Sequence, residues 1–255
     1  MRGLLVVIWG VAVLGAQDGH AQQVADPFRF LRWPVEDTRA ALQGVLTPRG
    51  LVLAGSVAGT LLLVPLDERI GREIGQAPRK IGLRSIEEVG NPKVIRPLGT
   101  ALFVGALLSG NERFQDASFT ALESVVMANF ITNGLKLVFG RSRPSDDDGP
   151  YRFIPIAGGT SFPSGHTTTA FAFVTPWVWY YPSVATPMLW GLAAGTATTR
   201  MLTRRHWLSD VVAGAFIGTA TATLLSWRHQ GQAADFGWAF RPVAGGGSAQ
   251  LTFSW

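Results

Sequence analysis

The sequence contains no cysteine and few charged residues, and both shortages restrict what the protein can be. Without cysteine, disulfide bonds, thiol catalysis and cysteine-based metal sites are excluded. Charged residues make up 15% of the 255 residues, against about 25% in average domains. Hydrophobic residues make up 47%. This composition indicates a membrane protein or an unusually apolar helical protein.

The net charge of +5 at pH 7 bears on which classes of molecule the protein is expected to bind. Basic residues are spread along the chain rather than gathered on one stripe, so we expect no nucleic-acid partner. Positive charge in loops beside a membrane is one explanation of the excess. Attraction to anionic lipid or to phosphate is a second explanation, and it is compatible with the first.

The two ends of the chain differ from its middle. Residues 1–21 predict a secretory signal peptide, because Arg2 precedes an apolar stretch and residues 19–21 offer a small-x-small cleavage site. An uncleaved anchor helix is the alternative for this segment. Residues 22–49 predict an N-terminal amphipathic helix that lies on the domain or on a bilayer surface. Residues 228–255 predict a short C-terminal β-hairpin around a glycine-rich turn.

Residues 50–227 contain six apolar segments, which predict an all-α bundle of six helices embedded in a membrane. Several segments are shorter than the about 20 residues that a crossing needs, so a compact periplasmic bundle is the alternative. In the third segment, the polar residues Glu123, Asn129 and Asn133 are expected to face other helices. The segments are residues 50–65, 97–109, 117–139, 167–181, 183–201 and 207–227.

Polar stretches separate the apolar segments. Residues 67–96 are predicted to be a polar connection with proline breakers and one short helical piece at 85–89, and residues 111–116 a break. Residues 141–162 form a long loop, which in a compact domain is usually functional or mobile. Its acidic run at 146–148 has four possible roles: to cap a site, bind a cation, screen basic residues or be solvated.

Three clusters of basic residues and histidines interrupt the apolar pattern. They lie in residues 136–144, 161–166 and 199–210, each beside or between apolar segments. Arginine offers a planar fork of donors that matches phosphate oxygens, and lysine adds a compact charge. The N–H groups at the start of a helix also attract anions. The clusters therefore predict an anion site built from helix ends.

Two histidines in these clusters supply a possible chemistry. His206 and Asp210 are four residues apart, so on a helix the carboxylate would hold one ring nitrogen and leave the other free to attack phosphorus. His166, which follows Ser164 and Gly165, would then protonate the leaving oxygen. A single histidine is more often structural, but two of them in matched basic clusters favour catalysis.

The three clusters resemble the signature motifs of the type 2 phosphatidic acid phosphatase (PAP2) superfamily, which includes class A acid phosphatases and vanadium haloperoxidases. The family pattern is Lys-x6-Arg-Pro, then Pro-Ser-Gly-His, then Ser-Arg-x5-His-x3-Asp. The chain matches it everywhere except at Thr199, which keeps the hydroxyl of the usual serine. The resemblance implies His206 as the nucleophile, Asp210 as its partner and His166 as the general acid. The phosphate-binding residues that it implies are Lys136, Arg143, Ser164, Gly165 and Arg200.

The resemblance also implies a function. It predicts a metal-independent phosphatase without a cofactor, acting on phosphomonoesters or diphosphates, most plausibly lipid-linked, through a phosphohistidine. The alternatives are a vanadate-dependent haloperoxidase and a non-catalytic protein that binds lipid phosphate. The expected location is the cell envelope, either in the membrane with a periplasm-facing site or in the periplasm. If the signal peptide is cleaved and the first three apolar segments all cross the membrane, the site would lie in the cytoplasm. A periplasmic site therefore requires that one early segment does not cross, or that the bundle is a compact periplasmic domain.

Overall fold

The computed structural model describes residues 26–75, 90–183, 186–231, 235–243 and 246–254. The predicted signal peptide and the predicted helical piece at 85–89 lie outside the described residues. Within these ranges the chain is mainly α-helical, which confirms the predicted fold class at that level.

Eight α-helices are present in the described part of the chain. Short 3₁₀ turns at Thr60–Leu63 and Pro144–Asp146 accompany them. The helices are α1 (Arg29–Gly44), α2 (Pro48–Gly59), α3 (Val64–Gly75), α4 (Pro92–Ser109), α5 (Glu112–Phe139), α6 (Gly165–Tyr180), α7 (Thr186–Leu202) and α8 (Leu208–His229).

Two strands follow the last helix. Strand β1 is Asp235–Val243 and strand β2 is Gly246–Ser254. They pair antiparallel, with Asp235 opposite Ser254 at one end and Val243 opposite Gly246 at the other.

Helix boundaries differ from the sequence prediction where polar residues cap or extend a helix. The predicted polar connection at 67–96 is wrong at both ends, because α3 continues to Gly75 and α4 already begins at Pro92. Proline suits the first turn of a helix, where its missing N–H costs nothing. The predicted break at 111–116 is present but shorter, since α4 ends at Ser109 and Asn111 already caps α5 by accepting the N–H of Phe114 at 3.0 Å.

The amphipathic helix α1 packs on the helical domain. The Arg29 guanidinium contacts the Asp116 carboxylate at 2.7 Å, which ties α1 to the start of α5. The ring of Trp33 stacks on His229 with 3.8 Å between ring centroids, which ties α1 to the end of α8. Of the two surfaces that the sequence offered to this helix, the domain is therefore the one it contacts.

Helix α6 lies between α5 and α8, and small residues allow its close approach to α8. A methyl group built on Gly218 would lie 2.5 Å from the carbonyl oxygen of Thr168 and 2.9 Å from the nitrogen of Ala172. Gly214 is equally restricted, since its methyl would lie 2.6 Å from the carbonyl oxygen of Ser164. The two helices therefore touch through their backbones, which positions the first turn of α6 against the first turn of α8.

Polar residues of α5 are divided between the interior and the surface. Asn129 is buried and donates to the Thr169 hydroxyl of α6 at 2.9 Å, and Glu123 is also buried. Asn133 is exposed, so the expectation that it faces another helix was wrong.

Large apolar side chains cover much of the outer surface of the helices. Leu62, Leu108 and Phe130 are each more than 80% exposed, on three different helical segments. Two segments, Gly50–Ile74 and Leu208–His229, are long and apolar enough to cross a membrane. An extended apolar exterior of this kind is typical of a surface that contacts lipid or another protein.

Replacing Gly218 by alanine is expected to destabilise the protein by about 2 kcal/mol, because the added methyl forces α6 and α8 apart. Thermal unfolding of the purified protein in detergent measures the effect. Gly134→Ala on α5 is the matched control, since its methyl would meet no atom within 4 Å. That control is expected to be neutral or slightly stabilising, because alanine favours helix more than glycine. Equal effects of the two substitutions would contradict the close packing.

Candidate active site

The predicted site residues lie where three helix ends meet. Lys136 is in the last turn of α5, Ser164 caps α6, and Asp210 is in the first turn of α8. The N–H of Ser164 donates to the carbonyl oxygen of Asp210 at 3.0 Å, which joins two of these ends directly. Histidines 166 and 206 therefore lie at the same end of the bundle.

A tight turn after α5 begins the loop that holds the site. Gly140 has a φ of +53°, and a methyl on it would lie 1.7 Å from the carbonyl oxygen of Ile154, so only glycine fits. The backbone N–H of Ser142 then donates to Arg152, and the N–H of Ser161 donates to the carbonyl oxygen of Arg141. The 141–162 loop is thus fixed by backbone pairing.

The acidic run at 146–148 pairs with basic side chains. The carboxylate of Asp147 accepts a hydrogen bond from the Arg204 guanidinium at 2.5 Å, and Asp148 accepts one from Arg152 at 3.0 Å. Of the four roles that the sequence left open for this acidic run, these contacts favour the screening of basic residues, here by pairing with nearby arginines. The pair with Arg204 also joins the loop to the segment that carries His206.

The hydrogen bond of His206 determines which ring nitrogen carries the proton. Its Nδ1 lies 2.8 Å from the carbonyl oxygen of Ser161, and a carbonyl oxygen only accepts hydrogen bonds. Nδ1 is therefore protonated, and in the neutral ring Nε2 keeps its lone pair. The nearest oxygen of Asp210 is 3.6 Å from Nδ1, beyond hydrogen-bond distance. Nδ1 of His206 thus donates to the Ser161 carbonyl oxygen instead of forming the predicted direct bond with Asp210.

The carboxylate of Asp210 is fully occupied by other donors. Its Oδ1 accepts from the Arg141 guanidinium at 2.7 Å. Its Oδ2 accepts from the Ser161 hydroxyl at 2.5 Å and from the backbone N–H of Trp207 at 2.8 Å. Asp210 therefore holds both the residue that binds the His206 ring and the turn that precedes α8, while its charge stays close to the imidazole.

Arg141 is the centre of a buried ionic network that the sequence motifs did not reveal. Its side chain is fully buried and contacts Asp67 and Asp210, each at 2.7 Å, as well as the hydroxyl of Ser209 at 2.6 Å and the carbonyl oxygen of Pro150. Asp67, on α3, accepts the N–H of Ser209 at 2.9 Å. A buried charge of this kind is tolerated because every donor of the guanidinium has an acceptor nearby.

Lys136 and Arg143 are oriented by the 160–163 segment. The ammonium group of Lys136 donates to the carbonyl oxygens of Thr160 and Pro163, the latter at 2.7 Å. Since an ammonium has three donors, one N–H is left for another acceptor. The guanidinium of Arg143 donates to the Thr160 hydroxyl at 2.9 Å through one of its nitrogens.

Electrostatic effects show that the basic residues share one site. Burial lowers the pKa of His166 to about 3, and the charges of Arg200, His206, Lys136 and Arg143 lower it further. Each of these groups is therefore close enough to act on the His166 ring. These five residues therefore lie near one another, and their catalytic and phosphate-binding roles stay predictions.

Burial also lowers the pKa of His206, to about 4, although the negative charge of the nearby Asp210 carboxylate opposes the shift. The ring is consequently neutral at pH 7. A neutral ring with a protonated Nδ1 is the form in which Nε2 can act as a nucleophile.

Thr199 and Gly165 complete the motif positions. The hydroxyl of Thr199 donates to the carbonyl oxygen of Thr196 within the same helix at 2.8 Å. A methyl on Gly165 would lie 3.9 Å from Lys136 and from Asn129, an ordinary contact distance. Packing alone therefore does not require glycine at position 165.

A pocket next to His206 opens between α3 and the start of α8. Apolar side chains form most of its wall, and Arg204 and Asp67 contribute polar atoms. Its apolar lining comes from Ile70, Ile74, Met201 and Leu208.

The site lies within a match to a known family. A sequence model of the PAP2 superfamily matches residues 117–233, which include all the predicted site residues. Curated relatives bear the name lipid A 1-phosphatase. Those from Rhizobium johnstonii and Rhizobium etli are each 35% identical to this chain over 100 residues. The matched part is 37% of this chain, 41% of the Rhizobium johnstonii protein and 43% of the Rhizobium etli protein. One from Porphyromonas gingivalis is 36% identical over 113 residues, 42% of this chain and 22% of its own.

Two solved structures share the fold. The crystal structure of Aquifex aeolicus LpxE has a TM-score of 0.51 and 22% identity, covering 63% of this chain and 94% of that one. The PAP2-type phosphatidylglycerolphosphate phosphatase of Bacillus subtilis has a TM-score of 0.51 and 17% identity, covering 80% of this chain and 97% of that one. At these identities the likeness concerns the fold alone.

Asp67→Asn is expected to destabilise the protein by about 3 kcal/mol or more, because it leaves the buried Arg141 guanidinium facing an amide donor. Thermal and denaturant unfolding measure the loss. Glu68→Gln, the exposed neighbour that pairs with Arg72, is the matched control and should change stability by about 0.5 kcal/mol or less. An Asp67→Asn protein as stable as the control would show that the network contributes little.

The lowered pKa of His206 also predicts a pH effect on stability. The unfolded ring has a pKa of about 6.5, and the folded ring has one of about 4. Between these values only the unfolded chain binds the proton, so stability falls as pH is lowered, by up to about 1.4 kcal/mol per pH unit. Unfolding followed between pH 7 and pH 5 should show a steeper decrease for the wild type than for His206→Gln. Equal slopes would contradict the shift.

Proposed function

This chain belongs to the PAP2 superfamily through residues 117–233, and we propose that it is a phosphatase acting on a lipid-linked phosphomonoester or diphosphate. The observation that carries the proposal is the hydrogen bond from His206 Nδ1 to the Ser161 carbonyl oxygen. It leaves Nε2 unprotonated in a site lined with cations, where a phosphate group would be attracted and then attacked.

The reaction starts with attack of His206 Nε2 on phosphorus. A P–N bond forms while the P–O bond to the leaving group breaks, and His166 gives its proton to the leaving oxygen. The resulting phosphohistidine carries a positive ring, which the Ser161 carbonyl oxygen and the nearby Asp210 carboxylate stabilise. His166 then takes a proton from water, whose oxygen attacks phosphorus, and the P–N bond breaks to release phosphate and the neutral His206.

The protonation of His166 depends on the substrate. Burial and neighbouring cations lower its pKa to about 3 in the ligand-free site, so the ring is neutral there. A bound phosphate dianion neutralises the surrounding positive charge and favours the protonated ring. His166 therefore acquires its catalytic proton together with the substrate.

The phosphate would be held by side chains and by the start of α6. Lys136 keeps one N–H beyond its two bonds to the 160–163 segment. Arg143 and Arg200 add guanidinium groups, and Ser164 and Gly165 begin α6, whose first N–H groups suit an anion. These cations supply the charge that a metal ion supplies in other phosphatases, so the proposed mechanism uses no metal.

A lipid-linked substrate fits the surroundings of the site. The pocket beside His206 is largely apolar, and one of its walls belongs to the candidate membrane segment Gly50–Ile74. The exposed apolar side chains of the helices suit an environment of lipid tails. We therefore propose that the enzyme lies in the membrane of the cell envelope, and a site on the periplasmic side is what the resemblance to the family implies. The names of the curated relatives make lipid A 1-phosphate the first substrate to test.

His206→Ala is expected to lower hydrolysis of p-nitrophenyl phosphate and of lipid substrates by about 1,000-fold or more, because the nucleophile is removed. The measurement is phosphate release by purified protein in detergent, with phosphatidic acid, phosphatidylglycerol phosphate, undecaprenyl diphosphate and lipid A as the panel. Rapid acid-free quenching should trap a labelled phosphohistidine in the wild type alone. Arg39→Ala, an exposed change on α1, serves as the control.

Two results would reject this function. A wild-type protein that binds phosphate but releases none from any substrate would indicate a phosphate-binding protein. Bromide oxidation with peroxide and vanadate, in the absence of phosphate release, would indicate a haloperoxidase.

A further inference from the structure

A second cluster of ionisable side chains lies at the end of the bundle opposite the active site. Glu123 precedes Lys136 on α5 by about 20 Å at a rise of 1.5 Å per residue, and His229 ends the helix that Asp210 begins. Asp37, from α1, completes the cluster. One ligand atom from each of these three residues lies within 4.8 Å of the other two.

All three side chains of the cluster are buried. The exposed fractions are 2% for Asp37, 7% for Glu123 and 1% for His229. Neither oxygen of the Glu123 carboxylate has a hydrogen-bond partner among the described residues, although Oε2 lies 3.7 Å from His229 Nε2. An unpartnered carboxylate at this depth costs several kcal/mol unless a proton or a cation neutralises it.

The hydrogen bonds of Thr120 determine the orientation of His229. The Thr120 hydroxyl donates to the carbonyl oxygen of Asp116 at 2.6 Å, so it can only accept from His229 Nδ1, which lies 2.8 Å away. Nδ1 therefore carries a proton and Nε2 points at the carboxylates of Asp37 and Glu123. This arrangement, with the outer ring nitrogen fixed by a second residue, is the one that metal-binding histidines use.

A single proton cannot satisfy the three ligand atoms. If Nε2 of His229 is protonated, it donates to Asp37 at 2.7 Å, and Glu123 still lacks a partner. If Nε2 is not protonated, its lone pair faces the oxygens of both carboxylates, and all three repel one another. A divalent cation at the centre of the three ligand atoms neutralises both carboxylates and binds the Nε2 lone pair, so the three groups no longer repel one another.

We propose that Asp37, Glu123 and His229 bind one divalent transition-metal ion, with Zn²⁺ as the representative case. Ligands about 2.1 Å from such an ion are about 3.4 Å apart, so the Glu123–His229 separation already fits and the Asp37–His229 separation widens slightly. One imidazole and two carboxylates suit these ions, and an open position remains for water.

The proposed metal has a structural role, because its three ligands come from three helices. It would join α1 to α5 and α8, beside the Arg228–Asp37 contact at 2.5 Å and the stacking of Trp33 on His229. The proposal is independent of the chemistry at His206, which lies at the other end of the bundle.

The test uses the full chain in detergent, without a histidine tag and stripped of metal by a chelator. Titration with Zn²⁺, followed by calorimetry and thermal unfolding, should give one ion per chain and a rise in the unfolding temperature. Glu123→Gln should weaken binding about 100-fold and remove the temperature rise. Glu36→Gln, which makes the same change at an exposed position next to Asp37, should leave both unchanged.

X-ray absorption at the zinc edge of the wild type gives a second measurement that does not depend on a variant folding. One imidazole with oxygen ligands is the expected result. Two imidazoles would place the ion at His166 and His206 and overturn the proposal. The proposal is also overturned if the wild type takes up no Zn²⁺, in which case two protons, one on Glu123 and one on His229 Nε2, replace the metal. Binding of Zn²⁺ to Glu123→Gln as tight as to the wild type would overturn it as well.

Discussion

The buried guanidinium of Arg141 is the group on which the rest of the active site depends. It joins Asp67 of α3 to Asp210 of α8 and binds the Pro150 carbonyl oxygen of the 141–162 loop. Three parts of the chain that are distant in sequence are thereby fixed to a single charge. Because all these groups are removed from water, the loss of any partner leaves an uncompensated charge, and the arrangement has little freedom to change.

The proposed nucleophile, His206, is positioned by this network. Asp210 holds the Ser161 hydroxyl, and the Ser161 carbonyl oxygen holds the His206 ring, so the carboxylate orients the imidazole through an intermediate residue. The same 160–163 segment accepts hydrogen bonds from Lys136 and Arg143. One short stretch of loop therefore positions the proposed nucleophile together with two of the proposed phosphate ligands.

The motifs predicted which residues meet, but not how they are held. Lysine, arginine and histidine are scarce in this apolar chain, so their three clusters were visible, and the structure brings them to one end of the bundle. The roles of Arg141 and Ser161 could not be read from spacing, because they depend on loop pairing between residues far apart. The only available signal for Asp67 was a carboxylate directly after an apolar segment.

The helical fold was predictable from the apolar segments, whereas the helix ends were not. Asn111 and Pro92 look like breakers in the sequence, yet they cap or begin helices once neighbouring N–H groups need partners. The N-terminal helix was predicted from its amphipathic pattern, but its partner surface depended on Arg29 and Trp33 finding Asp116 and His229.

The contacts between Asp67 and Ser209 have a consequence for biogenesis. They connect Gly50–Ile74 and Leu208–His229, which among the described residues are the two segments suited to crossing a membrane and lie at opposite ends of the helical domain in sequence. During synthesis, Asp67 emerges before Arg141, and both precede Ser209 and Asp210, the remaining partners of the network. The buried network is therefore complete only when translation delivers α8.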